Sequence, residues 1–432
     1  MSTEILHHPD SKSLSWQGHE DRNAYVFAHY LICTSAEPEA AALGIAREQS
    51  LCADAIAGVS MPPDLDQFKA KLVAWERADD APAIASPYTL NTPVYGAAAE
   101  QSPAVGTYRI VIAYPIVLFG SGMTRMWNIV FGEVHRLGYL LAARLERLEL
   151  PESFASTFPG PRYGIEGLRN LLGVAERPIF CRSMRPASGV TTDQMLSMND
   201  KVLRGGFDVI KDDELTYDNE RSPFAERMRR MVDLKKRIED ETGERKLYFA
   251  NAIDDLDASL RLAEMAAELG ADGVLVSIHA QGLSIISEVA RRTQLAILSH
   301  NTCGDALTRA AGWGAGDAVM ALVQRAVGAD LVVSPGPFAT RYQDPGIAHE
   351  FLQACRGLPA GWRQSMPIIQ GGKRPEHLAD YIEHCESTDF MIIAATWVDE
   401  HPEGMETGAR QFRDAWEALD ARSAPKALRP AR

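Results

Sequence analysis

The residues best placed for chemistry lie in Leu203–Glu214, which reads Leu-Arg-Gly-Gly-Phe-Asp-Val-Ile-Lys-Asp-Asp-Glu. A short apolar run (Phe207, Val209, Ile210) ends abruptly in Lys211, Asp212, Asp213 and Glu214. Hard cations such as Mg²⁺ take carboxylate oxygens, and adjacent acids offer them from one backbone element. The lysine of such a cluster is ordinarily a counter-ion. Addition of CO₂ to its amine would make a carbamate and turn it into a third oxygen donor. A solvated acidic turn after a buried strand has the same composition, so the surrounding pattern must discriminate.

That pattern is an alternation of strand-like and helix-like segments from about residue 177 onward. The strand candidates are Pro178–Met184, Phe207–Asp213, Lys246–Ala252, Gly273–His279, Ala296–His300, Leu331–Pro335, Met366–Gly371 and Asp389–Thr396. Each is a short, mostly apolar run, as expected of parallel strands covered on both faces. Amphipathic patterns separate them, such as Asp257–Leu269 with Leu260, Leu262, Ala263 and Ala266 recurring. Eight such units predict a (β/α)₈ TIM barrel, whose chemistry sits at the C-terminal strand ends. Lys211–Glu214, Asn251, His279, His300, Ser334, Gln370 and Thr396 fall at those ends.

Residues 1–150 predict a separate α+β domain, with strands at Tyr25–Cys33 and Tyr108–Tyr114 and helices at Pro38–Leu51, Pro63–Trp75 and Met123–Leu148. Pro151–Ile165 is rich in Pro and Gly and reads as a linker, so residues 151–432 form the barrel domain, ending in a mobile tail from about Ala421. The length of 432 residues agrees with two domains. The balance of 44 basic against 58 acidic residues, net −14, argues against a nucleic-acid or anionic-membrane surface. No apolar run reaches the ~18 residues of a membrane helix. The opening residues carry no secretory pattern, and six cysteines without a CxxC spacing read as reduced thiols. A cytoplasmic protein without a zinc site is expected.

Leu203–Glu214 followed by Ser222-Pro223-Phe224 resembles the metal-site signature of the RuBisCO large-chain family. Phe158-Pro159-Gly160-Pro161 with Gly164-Ile165, and Arg177-Pro178 before the first barrel strand, match as well. The resemblance runs from about Glu48 to Arg410. It implies an N-terminal α+β ferredoxin-like domain, a C-terminal TIM barrel, and a homodimer whose active sites are shared between one barrel and the partner's N-terminal domain. It also implies that Lys211 is carbamylated and, with Asp213 and Glu214, binds Mg²⁺. Glu48 corresponds to the acid contributed by the partner.

The departures point to a RuBisCO-like protein of the form IV type. Where true carboxylases carry Lys-Pro-Lys, this chain has Arg185-Pro186-Ala187. Arginine stays protonated, so Arg185 is no ordinary base, but it can hold a carboxylate. The loop after strand six reads Ser334-Pro335-Gly336-Pro337-Phe338-Ala339 and lacks the family's CO₂-orienting lysine. His300 matches a family histidine, whereas Asn301 replaces a phosphate-binding arginine and Val333 a phosphate-binding histidine. Gln370 replaces a serine before the retained Gly371-Gly372, and Ala394-Ala395 replace glycines after strand eight. Asn128 lies one position before the asparagine expected of the N-terminal domain.

An ion held by carboxylates stabilises an enediolate. Proton abstraction reaches that intermediate with a base; loss of CO₂ from a β-keto acid reaches it without one. Arg185 in place of a basic lysine favours the second route, with His300 or His279 returning a proton. Gly371, Gly372 and Lys373 offer one phosphate site, and Gln370, Asn251 and Glu48 are further substrate contacts. Mg²⁺-dependent decarboxylation of a phosphorylated 3-oxo sugar acid is therefore expected. The alternatives are an enolase or isomerase on a phosphorylated ketose and a non-catalytic metabolite-binding homologue. Trp397, Asp399, Glu400 and His401 after strand eight read as an exposed loop, and His7-His8 as solvated surface.

Overall fold

The computed structural model describes residues 12–34, 36–52, 58, 60–81, 105–310, 312–334, 345–357 and 361–423. His7-His8, Pro335–Ala339 of the loop after strand six, and the tail beyond Ser423 lie outside them. The described strands are, in chain order, β1 (Tyr25–Thr34), β2 (Lys71–Arg77), β3 (Gly106–Pro115), β4 (Leu140–Glu149), β5 (Ile179–Ser183), β6 (Val209–Lys211), β7 (Leu247–Asn251), β8 (Gly273–Val276), β9 (Ala296–Ser299), β10 (Trp313–Ala315), β11 (Leu331–Ser334), β12 (Met366–Ile369) and β13 (Met391–Ile393). The chain divides into two units, one of Met1–Pro159 with Cys303–Val327 and Leu358–Trp362, the other of Gly160–Thr302, Gly328–Gly357 and Arg363–Arg432.

The first unit is built on a mixed sheet of order β10-β4-β1-β3-β2. The β4-β1-β3-β2 part is antiparallel and has the ferredoxin-like order, while β10 adds in parallel against β4. The helix Pro38–Glu48 packs on β2 and β3 through Ala41, Ala42, Ile45 and Ala46, all buried. Two expected helices are corrected here. Within Pro63–Trp75 only a single 3₁₀ turn forms, at Leu65–Phe68, and the chain then enters β2. The predicted helix Met123–Leu148 stops at Phe131, with Gly132 as its C-cap, and Leu140–Glu149 is a strand. Leu-Leu-Ala-Ala-Arg-Leu-Glu-Arg-Leu-Glu is made of strong helix formers. Ladder bonds to β1 on one side and β10 on the other outweigh that local preference.

In the second unit all eight predicted barrel strands form, and they close as β5-β6-β7-β8-β9-β11-β12-β13 back to β5. Each observed strand is shorter than its apolar run, so several residues predicted as strand ends lie in loops; His279 sits in the short helix Ile278–Gln281. Strand faces are buried because side chains on one face fill the barrel and those on the other meet helices. The interior stack includes Cys181, Val209, Leu247, Phe249, Leu275, Leu298, Leu331, Ile368 and Met391. Gly273 opposes Phe249 in register, and a Cβ there would lie 2.2 Å from the Phe249 ring, so this position admits only glycine. The helix Gly164–Leu172 joins the same core through Ile165, Leu168 and Leu172. Asp330, just before β11, fixes it by accepting from the backbone N–H groups of Tyr163 and Gly164 at 2.6 and 2.9 Å. No helix of the described residues is long and apolar enough to cross a membrane.

Candidate active site

The C-terminal ends of β5, β6, β7, β9 and β12 gather the predicted residues, and the three consecutive acids after Lys211 separate by role. Asp212 turns into the protein, where its side chain is 2% exposed. Its Oδ2 accepts from Arg227 Nε and the Asn251 backbone N–H, both at 3.2 Å, and its Oδ1 from the Tyr248 hydroxyl at 2.9 Å. This acid is fully engaged in holding β6, β7 and the helix Phe224–Thr242 together.

Asp213 and Glu214 have other partners, and Glu214 lies beside Lys211. Asp213 accepts from the Ser183 hydroxyl at 3.1 Å and from the Leu215 N–H at 3.2 Å. Arg185 Nε lies 3.9 Å from the same carboxylate, on a side chain 55% exposed. Lys211 is buried, with Nζ donating to the Asp212 carbonyl at 3.1 Å and lying 3.6 Å from Glu214 Oε2. Asn251 braces this turn: its Nδ2 donates to the carbonyls of Glu214 and Thr216, both at 3.2 Å, and its Oδ1 accepts from the Ile253 N–H at 3.0 Å. Its amide thus braces the turn that carries Glu214.

His300, just past β9, stands with Nε2 3.4 Å from Glu214 Oε2. Its Nδ1 lies 2.7 Å from the Thr302 hydroxyl and 3.2 Å from the Thr302 backbone nitrogen. Burial, reinforced by the Lys211 charge, lowers its pKa to about 3. Gln370 hydrogen-bonds His300 and donates from Nε2 to Asn301 Oδ1 at 3.0 Å. The next residues, Gly371 and Gly372, have φ of +80° and +59° and open space where a Cβ would stand. Lys373 follows them in the chain. It is buried, its Nζ donates back to the Gly371 carbonyl at 3.3 Å and lies 5.3 Å from the Tyr381 ring centroid, and burial lowers its pKa to about 8. The ammonium therefore ties the loop to its own backbone. His279 is half-buried in Ile278–Gln281, one turn beyond β8. Glu48 ends the helix Pro38–Glu48 of the other unit, and partial burial raises its pKa.

Among the described residues no group of three or more His, Cys, Asp and Glu is poised for a metal. Asp213 and Glu214 supply two hard donors and Lys211 a positive charge, which alone repels a cation. Conversion of that amine to a carbamate replaces the positive charge by a negative one and completes three oxygen donors, so this donor set fits Mg²⁺ when Lys211 carries CO₂.

One network carries no clear mark in the sequence pattern. Arg182, fully buried in β5, bonds Asp399 from Nε at 2.9 Å, Asn199 from one terminal nitrogen at 3.3 Å and the Arg185 carbonyl from the other at 3.0 Å. Asp399, expected as loop surface, instead anchors the segment after β13 to the strand that carries Arg185. The available signal is a charged residue inside the run Ile-Phe-Cys-Arg-Ser, since an arginine buried there requires an acid.

The sequence profile of the ribulose bisphosphate carboxylase large chain, catalytic domain, matches residues 164–429. A ribulose bisphosphate carboxylase-like protein of Allochromatium vinosum is 29% identical over 404 residues, 93% of this chain and 86% of that protein. The 2,3-diketo-5-methylthiopentyl-1-phosphate enolase of Geobacillus kaustophilus is 31% identical over 74% of this chain and 77% of its own length. The crystal structure of a rubisco-like protein from Burkholderia fungorum superposes with a TM-score of 0.80 at 25% identity, covering 92% of this chain and 95% of that one. With that profile matching more than half of the chain and relatives of about 30% identity named as carboxylase-like, the chain belongs to the RuBisCO large-chain family, as a RuBisCO-like protein rather than a true carboxylase.

Proposed function

We propose that this protein is a Mg²⁺-dependent lyase that decarboxylates a phosphorylated 3-oxo sugar acid. The observation that carries the reading is Arg185, a permanent cation, 3.9 Å from Asp213 where proton abstraction would require a base. Lys211, Asp213 and Glu214 would hold the ion once the Lys211 amine has added CO₂ and released a proton. Bound there, Mg²⁺ stabilises negative charge on the substrate oxygens. Arg185 holds the substrate carboxylate; the bond from that carboxylate to the adjacent carbon breaks, CO₂ leaves and the electron pair remains as an enediolate. His300 sets Nε2 beside Glu214, and a proton carried there would be donated to developing oxygen charge. His279 is assigned the proton that ends the reaction. Gly371 and Gly372 receive the phosphate on backbone N–H groups, with Lys373 bracing them. Glu48 acts from a second copy in a homodimer, completing its neighbour's site.

The second reading, an enolase or isomerase on a phosphorylated ketose, is favoured by the relative named as an enolase. Release of CO₂ from a panel of phosphorylated 3-oxo sugar acids, measured with and without Mg²⁺ in wild type and Lys211→Ala, separates the readings. Mg²⁺-dependent release lost in the variant supports the lyase. Solvent deuterium entering a phosphorylated ketose without CO₂ release replaces it by the enolase. Neither activity, together with failure to bind Mg²⁺, leaves a non-catalytic binding protein.

A further inference from the structure

The two nitrogens of His300 meet groups whose hydrogen-bonding roles are fixed. The Thr302 backbone N–H points at Nδ1 from 3.2 Å, and the Thr302 hydroxyl lies 2.7 Å from the same nitrogen. A backbone N–H only donates and so calls for a lone pair on Nδ1, whereas the hydroxyl adapts to either tautomer. At the other nitrogen, Nε2 lies 3.4 Å from Glu214 Oε2, and an ionised carboxylate only accepts. Both contacts favour the proton on Nε2.

Thr302 is itself held from the neighbouring strand. Ser277, fully buried at the end of β8, donates from Oγ to the Thr302 carbonyl at 2.9 Å. The Ser277 N–H donates to Gln281 Oε1 at 2.8 Å. Gln281 Nε2 donates in turn to the Ser259 hydroxyl at 2.6 Å and to the carbonyls of Ala252 and Asp254 at 3.2 and 3.3 Å. An uncharged chain of hydrogen bonds thus runs from the segment after β7, past the end of β8, to the loop that carries His300. A buried network satisfied at each member holds the groups it joins in one arrangement.

We infer that Ser277 and Thr302 are positioning residues of His300, which hold its ring in the tautomer with the proton on Nε2, directed at Glu214. The placement depends on bonds of this chain alone; only its use in turnover rests on the lyase reading.

The test is magic-angle-spinning NMR of the full chain labelled with ¹⁵N-histidine, in metal-free buffer without substrate at about pH 8, above the ordinary imidazole range. The chain holds 11 histidines, and the His300 signals are those missing from His300→Gln. Wild type is expected to show Nδ1 unprotonated and Nε2 protonated. Ser277→Ala should raise the Nδ1-protonated fraction by about fivefold, the scale of one hydrogen bond, and Ser277→Thr, which keeps the hydroxyl, should show the wild-type ratio. Gln281→Met removes the next link and should move the ratio in the same direction, which decides the matter if Ser277→Ala does not fold. Thr302→Val keeps the N–H and should keep the wild-type tautomer. A protonated Nδ1 in wild type, or its appearance in Thr302→Val, would overturn the role given to the Thr302 N–H. A merely structural Ser277 would lower the melting temperature and leave the ratio unmoved; that result in Ser277→Ala and Gln281→Met alike would overturn the positioning role.

Discussion

Asp212→Ala should unfold the barrel at a markedly lower temperature, although the residue is flanked by Lys211 and Asp213. The carboxylate is 2% exposed and faces an Arg227 side chain that is 0% exposed. Its removal leaves that guanidinium without its charge partner and strips the Tyr248 hydroxyl and the Asn251 N–H of their acceptor. Breaking one side of a buried pair costs about 3–5 kcal/mol, against a total stability of roughly 5–15 kcal/mol. For a domain of this size 1 kcal/mol moves Tm by roughly 2–4 °C, so a fall of roughly 10 °C is expected. The double variant Asp212→Leu/Arg227→Met should lose less than the single one, because no charge is stranded in it. Asp213→Asn and Glu214→Gln, by contrast, should melt within about 2 °C of wild type, since an amide is nearly isosteric there, yet lose Mg²⁺-dependent turnover. Scanning calorimetry with matched activity assays checks all four variants. A wild-type Tm for Asp212→Ala, or an equal fall for Asp213→Asn, would refute the division of labour among the three acids.

Three further outcomes are expected. His300 has a folded pKa of about 3 against an ordinary value of 6.5. As pH falls from 6.5 toward 3 the unfolded chain takes up a proton that the folded chain refuses, so stability drops by up to about 1.4 kcal/mol per pH unit. Denaturant titrations in metal-free buffer should show His300→Gln with a shallower acid limb; a parallel limb would contradict this. Asp399→Asn weakens the partner of the fully buried Arg182 and should cost about 2–4 kcal/mol while raising KM, because the Arg185 carbonyl hangs on the same guanidinium; an unchanged Tm with unchanged KM would remove the network from the site. Gly371→Ala meets no atoms but must adopt φ near +80°, a cost of about 1–2 kcal/mol, and should raise KM for a phosphorylated substrate more than it lowers kcat; the opposite split would argue against a phosphate at this loop.

The barrel is readable because parallel strands buried on both faces write themselves as short apolar runs, and the position just after each run locates the catalytic mouth. Lys211, Asp213, Glu214 and His300 stand at that position in the sequence, whereas Arg185 is singled out by the family resemblance. The N-terminal sheet is less readable. Leu140–Glu149 has the composition of a helix, and its strand state depends on partners in β1 and β10, one more than a hundred residues upstream and the other far downstream. The contact of Lys373 with the Gly371 carbonyl is likewise a matter of placement, beyond two glycines of positive φ.

Residue types alone offer two carboxylates and a carbamate-capable amine to a hard cation, and the family resemblance adds the expectation of an arginine in place of a base and amides in place of a second phosphate's ligands. They do so because charge and donor capacity belong to the side chain itself. Which acid turns to Arg227 and which lies beside Lys211, that Asn251 braces the turn, that Arg182 and Asp399 hold the Arg185 loop, and that Asn301 meets Gln370 are facts of three-dimensional placement. Each depends on the direction in which a Cβ leaves a strand end and on partners 15 to 217 residues away, distances over which a linear pattern carries no orientation.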